Sequence, residues 1–157
     1  MPRHFYKKRV IKPDGIYNSF EVTKLINYIT RDGKKTVAEK IVYSVLERIR
    51  KEGKNPLEVL HQAINNVAPN FEVRPRRLGG ASYLVPVEVG RERKLFFALK
   101  WIIKAAIDRS SKECKTFADK LYTELNDAAK NQGQAVAKKA QTEKLAEANK
   151  AFAHLKW

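Results

Sequence analysis

The chain has 157 residues, 43% of them hydrophobic, which suits one domain with a real core and argues against wholesale disorder. Thirty-two Lys and Arg against seventeen Asp and Glu leave a net charge of +15 and a pI near 10.0, a field whose natural partner is a polyanion such as nucleic acid or an acidic membrane surface. Charge alone does not choose between them, but the longest apolar stretch, Leu95 to Ile107, is broken by Lys100 and Lys104 and falls short of the ~20 residues of a membrane span, so no segment is expected to cross a membrane and the expected partners include no membrane.

Met1 to Lys12 carries Arg3, Lys7, Lys8, Arg9 and Lys12 without an acid, and Pro13-Asp14-Gly15 closes it with a turn. Residues 1–15 therefore read as a basic arm, and the absence of an apolar run after its charges argues against a secretory signal. A first helix follows the candidate N-cap Ser19, with Val22, Leu25, Ile26 and Ile29 at helical spacing until Arg31-Asp32-Gly33. Thr36 and Glu39 form a capping-box pattern for a second helix, whose stripe is Val37, Ile41, Val42, Val45, Leu46 and Ile49. Asn55 as cap, Pro56 and Glu58 start a third helix, with Leu57, Leu60, Ile64 and Val67 on one face.

From Phe71 the period becomes two. Phe71 and Val73 share one face of their arm, and Tyr83, Val85, Val87 and Val89 share a face of the returning arm across Gly79-Gly80. Pro75 and Pro86 exclude a central strand, so residues 71–90 read as a two-stranded ribbon, which is all edge. Its base must pack on helices, because such a ribbon is marginal alone, and its tip projects. Arg74, Arg76 and Arg77 on one arm, with Arg91, Arg93 and Lys94 past the other, make it suited to gripping nucleic acid; the competing reading is an ordinary hairpin with solvated arginines.

A fourth helix, about Arg91 to Arg109, places Leu95, Phe96, Leu99, Ile102, Ile103 and Ala106 on a core face. Arg93, Lys100 and Lys104 fall on a separate stripe beside Phe97 and Trp101, either to hold phosphates or to keep the helix solvated. A fifth helix starts at Thr116 and Asp119, uses Phe117, Leu121 and Leu125, and ends near Gly133; a weaker, Ala-rich sixth runs to about Asn149. The tail ends on Trp157, as an anchor or as a ring offered to a partner. Cys114 rules out an internal disulfide and reads as a small buried helical side chain in a reducing compartment. Fold class is thus mainly α: a single domain over 1–157 with six helices, a ribbon between the third and fourth, and a C-terminal helix and tail over 134–157.

Catalytic chemistry finds little support. His4, His61 and His154 stand at no metal or dyad spacing. Asp32-Gly33-Lys34-Lys35-Thr36 ends like a phosphate-binding loop, but Tyr28 occupies the position of its first glycine and no strand precedes it. Glu124 and Asp127 read as surface charges near Lys120 and Lys130. No enzyme, cofactor, metal or small-molecule substrate is expected.

Several ordered motifs resemble one family, the seventh protein of the small ribosomal subunit in its bacterial and organellar form. They are Asp32 to Thr36 with Ala38-Glu39 and Ile41 to Ser44, Arg76-Arg77 before Gly79-Gly80, Tyr83 with Val85 to Val89, Trp101, and Ala146 to His154 ending at Trp157. The resemblance covers nearly the whole chain. It implies a helical body with a protruding ribbon that binds the 3′ major domain of small-subunit ribosomal RNA, nucleates assembly of the head, and catalyses nothing. It implies rRNA contacts at Arg3, Lys34, Lys35, Arg76, Arg77, Arg93, Lys94 and Lys100, to which the basic arm, the ribbon flanks and the stripe of the fourth helix add Lys7, Lys8, Arg9, Arg74, Arg91 and Lys104 as candidate contacts. The tip, Leu78, Gly79, Gly80, Ala81, Ser82 and Tyr83, would face exit-site transfer RNA and messenger RNA, with the eleventh small-subunit protein a neighbour. The implied location is bacterial cytoplasm, or an organelle matrix or stroma. The chain departs from the family pattern at Ala68, Pro75, Gly90-Arg91-Glu92, Phe96 and Lys100. A second class, architectural DNA-bending proteins, also extends basic ribbons but inserts an apolar wedge, for which this tip offers Leu78.

Overall fold

A computed structural model describes residues 10–111 and 114–155. The elements are α1 (Phe20–Ile29), α2 (Lys35–Lys51), α3 (Pro56–Val67), β1 (Phe71–Leu78), β2 (Ala81–Glu88), α4 (Arg91–Asp108), α5 (Phe117–Ala129) and α6 (Gln134–Ala148), followed by a 3-10 helix, Lys150–Leu155. The mainly helical expectation holds, with the ribbon between α3 and α4. A seventh, 3-10 helix occupies what the sequence suggested was a tail. The basic arm through Arg9, with His4, and the terminal Trp157 lie outside the described residues.

The core lies among α1 to α5 and takes Ala135 from the start of α6. Leu25, Leu46, Ile49, Leu60, Leu99, Ile102, Leu121 and Leu125 are fully enclosed. Two helix starts form as their sequences dictate. Asn55 accepts from the Leu57 N–H ahead of Pro56, and Thr116 with Asp119 closes a reciprocal capping box. Two others do not. Ser19 sits at the N-cap of α1 without a side-chain cap bond. α2 begins at Lys35, so Thr36 lies inside the first turn and Glu39 turns to the Lys35 ammonium, 3.6 Å away. Val37 is 52% exposed, and Ala38 stands in the core on the face of Val42, Val45, Leu46 and Ile49.

β1 and β2 pair antiparallel in the register Phe71↔Glu88 to Leu78↔Ala81. Gly79 and Gly80, at φ 56° and 91°, make the two-residue turn, whose left-handed backbone only glycine adopts cheaply. The pairing puts Phe71 and Val73 on one face of the ribbon and Tyr83, Val85 and Val87 on the other, so the two apolar sets do not form one common face. Near the base Val85 on one face and Pro86 on the other are buried, while Phe71 stays exposed. The outer half, residues 74–77 and 79–82, is exposed. α6 and the 3-10 helix pack on the ribbon, with the Tyr83 and Phe152 rings 5.4 Å apart.

Candidate nucleic-acid interface

At the ribbon's base the strongest feature is an acid. Glu72, 5% exposed, sits on the ribbon face shared with Arg74 and Arg76. Its carboxylate accepts from Arg93 Nε at 2.7 and 2.9 Å and pairs with Arg74. Two of the arginines picked out as RNA contacts are therefore part of an internal clamp joining β1 to the start of α4. Both guanidiniums keep about half their surface in solvent, so each retains N–H groups that point outward. Lys94 is similarly engaged, donating to Asn70 Oδ1 at 2.8 Å. Nothing in the sequence marks Glu72 as their anchor, because the pairing crosses from a strand to a helix 21 residues away.

Farther out, Arg76 pairs opposite Tyr83 and Arg77 opposite Ser82. Consecutive strand residues point to opposite faces, so the two arginines serve the two faces of the projecting ribbon. Leu78, Gly79, Gly80, Ala81 and Ser82 form its end, with Leu78 half-buried and the rest exposed. Tyr83 is held from behind by Phe152.

Along α4 the cation stripe interleaves with rings. The Arg93 guanidinium lies 4.8 Å from the Phe97 ring centre, and Phe97 lies 5.3 Å from Trp101, one turn further on. Lys100 and Lys104 are exposed beside them, and Arg91 is exposed in the first turn. Phe96 departs from its expected core position. Full burial on α4 begins at Ala98, and Phe96 instead packs edge-on against Tyr28 of α1, 5.6 Å away, under the Lys100 ammonium at 5.3 Å. Lys34 and Lys35 are exposed at the start of α2, preceded by the left-handed Asp32 and Gly33.

Three further expectations change. Glu124 is not a surface charge: it is fully enclosed and receives Arg109 Nε at 2.7 Å and the Ala135 N–H at 3.1 Å, while Arg109 also pairs with Asp127. Burial would lower the Arg109 guanidinium, but the bonds to Asp127 and Glu124 outweigh it and hold it above its ordinary value. Lys120, the expected partner, instead donates to the Arg109 carbonyl at 2.6 Å. Cys114 is half-buried in the segment between α4 and α5, not helical. His61 is exposed and faces Glu21 at 3.2 Å. Among the described residues no His, Cys, Asp and Glu cluster could hold a metal, and no helix is long and apolar enough to cross a membrane.

Body, ribbon and charge together define a strongly basic, mainly helical protein that presents a two-stranded arm. The family model described as "Ribosomal protein S7p/S5e" matches residues 1–150. The chain is 53% identical to "Small ribosomal subunit protein uS7" of Caldicellulosiruptor bescii over 96% of both chains. It is 51% identical to the protein of that name from Thermoanaerobacter pseudethanolicus and 53% identical to that from Heliobacterium modesticaldum, each over the full length of both. The chain belongs to this family of ribosomal proteins, which are structural components and not enzymes. The architectural DNA-binding alternative is left without support.

Proposed function

We propose that this chain, acting as one domain, is a constituent of the small ribosomal subunit that binds the 3′ major domain of its ribosomal RNA and nucleates assembly of the head. The observation that carries the reading is the projecting ribbon, whose exposed Arg76 and Arg77 offer guanidinium forks on both faces. Lys34, Lys35, Arg91, Lys100 and Lys104 extend the cationic surface over α2 and α4, and the half-exposed Arg74, Arg93 and Lys94 add their outward N–H groups. Arg3, Lys7, Lys8 and Arg9 complete the set from the N-terminal arm. Grip on structured RNA through phosphates and shape suits this distribution.

The turn from Leu78 to Tyr83, where Gly79 and Gly80 let a backbone approach closely, is the part that faces exit-site transfer RNA and messenger RNA. The eleventh protein of the subunit is a neighbour there, and a bacterial cytoplasm is the setting. The test is binding of the purified chain to 3′ major domain RNA and to duplex DNA of equal length over a salt series. Preference for the RNA at every salt concentration is the expected result; equal affinities would overturn the reading. Co-sedimentation with small subunits is the complementary measurement.

A further inference from the structure

The pocket between α1 and α4 is lined by Tyr28, Phe96, Lys100, Ile103, Lys104 and Ile107 and encloses about 300 Å³. We propose that it takes an unpaired nucleobase of RNA, which rests on the RNA-binding reading above and adds a second mode of recognition to it.

The first ground is apolar surface that the core does not use. Tyr28 is 36% exposed and Ile107 41% exposed, and Phe96 is half-buried outside the core cluster. A surface that gripped phosphates alone would need cations and no rings. Phe96 and Tyr28 brace each other edge to face, 5.6 Å apart at 76°, which fixes both rings; Tyr28 keeps exposed surface, and the Lys100 ammonium lies over the Phe96 ring. The second ground is charge. Lys100 and Lys104 are the charged groups among the six lining residues, and among the described residues no acid lines the pocket. That lining repels a basic protein segment and attracts a polyanion. The two lysines stand one helical turn apart, about 6 Å along the axis, as a short cationic row. The third ground is their placement. The Lys100 ammonium lies 5.3 Å from the Phe96 ring centre, so a phosphate drawn to Lys100 brings its own base to the ring. Tyr28, Ile103 and Ile107 also line a neighbouring, larger cleft of about 460 Å³, whose described lining includes Arg31, Lys34 and, as its one acid, Asp32. A strand leaving the pocket therefore meets further cations.

Base stacking and phosphate contact separate cleanly in a salt series, because stacking releases no counterions. Full-length wild type, Phe96→Leu, Tyr28→Leu and Lys100→Ala proteins would be titrated with a short oligouridine, an abasic oligonucleotide of the same length, and 3′ major domain RNA. Wild type should prefer the oligouridine to its abasic counterpart. Phe96→Leu should remove that preference and weaken oligouridine binding by roughly fivefold or more with the salt slope unchanged, the range for one lost base stack. Lys100→Ala should flatten the slope by about one unit and keep the preference. Tyr28→Leu carries the same test should Phe96→Leu fold poorly, and Tyr28→Phe, which keeps the ring, should bind like wild type. Equal binding of oligouridine and abasic strand by wild type, or a slope change without loss of preference in Phe96→Leu, would overturn the proposal. Tight, salt-dependent binding of the 3′ major domain RNA in that same experiment would leave the ribosomal reading standing; its absence would sink that reading instead.

Discussion

Arg93, in the first turn of α4, holds both carboxylate oxygens of Glu72 from β1, its Nε 2.7 and 2.9 Å from them. The contact ties the ribbon to the helix that follows it, and it sets an acid among the cations of the proposed RNA surface. Removing Glu72 leaves Arg74 and Arg93 facing each other without their shared counter-charge. Because both arginines are about half exposed, solvent screens much of that repulsion. Glu72→Ala should therefore cost roughly 1–3 kcal/mol, between the values for exposed and buried pairs. Urea denaturation would measure it, and hydrogen exchange should rise first at the base of β1. An unchanged midpoint would mean that packing of Val85 and Pro86 alone fixes the ribbon.

Arg76 and Arg77 lie on opposite ribbon faces, which makes single substitutions informative. If RNA embraces the ribbon, Arg76→Ala and Arg77→Ala should each flatten the salt dependence of binding by about one unit, and the double variant by about two. Arg77→Ala should leave thermal stability unchanged, since that position is exposed. Unchanged slopes in both single variants would show that these arginines are solvated and that the interface lies on the helical body.

Tyr43 of α2 donates its hydroxyl to Asp14 Oδ1 at 2.7 Å, while Asp14 Oδ2 accepts the N–H groups of Ile16 and Tyr17, each at 3.0 Å. Burial, followed by the bond and charge of Asp14, pushes the phenol from 10.0 up to about 12. The fold holds the neutral phenol, so this contribution is complete below pH 10 and is lost as pH rises toward 12. Burial alone would raise Asp14, yet the bonds from Tyr17, Tyr43 and Ile16 outweigh it and leave the carboxyl below 3.8. Its contribution stands above pH 3.8 and is lost as pH falls further. The stability difference between wild type and Tyr43→Phe, read from urea midpoints, should hold steady from pH 6 to 9 and shrink from pH 10 to about 12. A difference independent of pH across that interval would sink the assignment.

The legible parts of this fold are those whose determinants lie within one element. Asn55-Pro56 and Thr116 with Asp119 carry their own caps, and Gly79-Gly80 carries its own turn. Helical spacing found most of the core but misplaced Val37 and Phe96, because an apolar position becomes buried only where another element covers it. α2 buries the face of Ala38, Val42, Val45, Leu46 and Ile49, which leaves Val37 outside it, and the first two turns of α4 are only partly covered. Of the candidate interface, the exposed Arg76 and Arg77 were readable, while the Glu72 clamp was not. Its partners come from a strand and a helix, and no local spacing records that meeting. Glu124 was misread for the same reason, since Lys120 lies one turn before it in sequence while its partner in space is an arginine 15 residues away.

That enclosed carboxylate makes the strongest stability prediction. Glu124 joins three elements: Arg109 just beyond α4, its own helix α5, and the Ala135 N–H in the first turn of α6. Gly133 makes the approach possible. At φ 95° it occupies a conformation costly for other residues, and a Cβ there would stand 3.0 Å from Glu124 Oε1 and 3.3 Å from Asp127 Cβ. Glu124→Ala deserts Arg109, which keeps Asp127, and it orphans the Ala135 N–H, so a loss of about 3–5 kcal/mol is expected, as for one partner of a buried pair. Gly133→Ala should cost about 1–3 kcal/mol through strain at positive φ and displacement of the carboxylate. The two effects share one contact, so the double variant Glu124→Ala with Gly133→Ala should be less damaged than the sum of the singles. A double-mutant cycle by thermal or urea unfolding decides it: strict additivity would show that Gly133 acts through its backbone conformation alone.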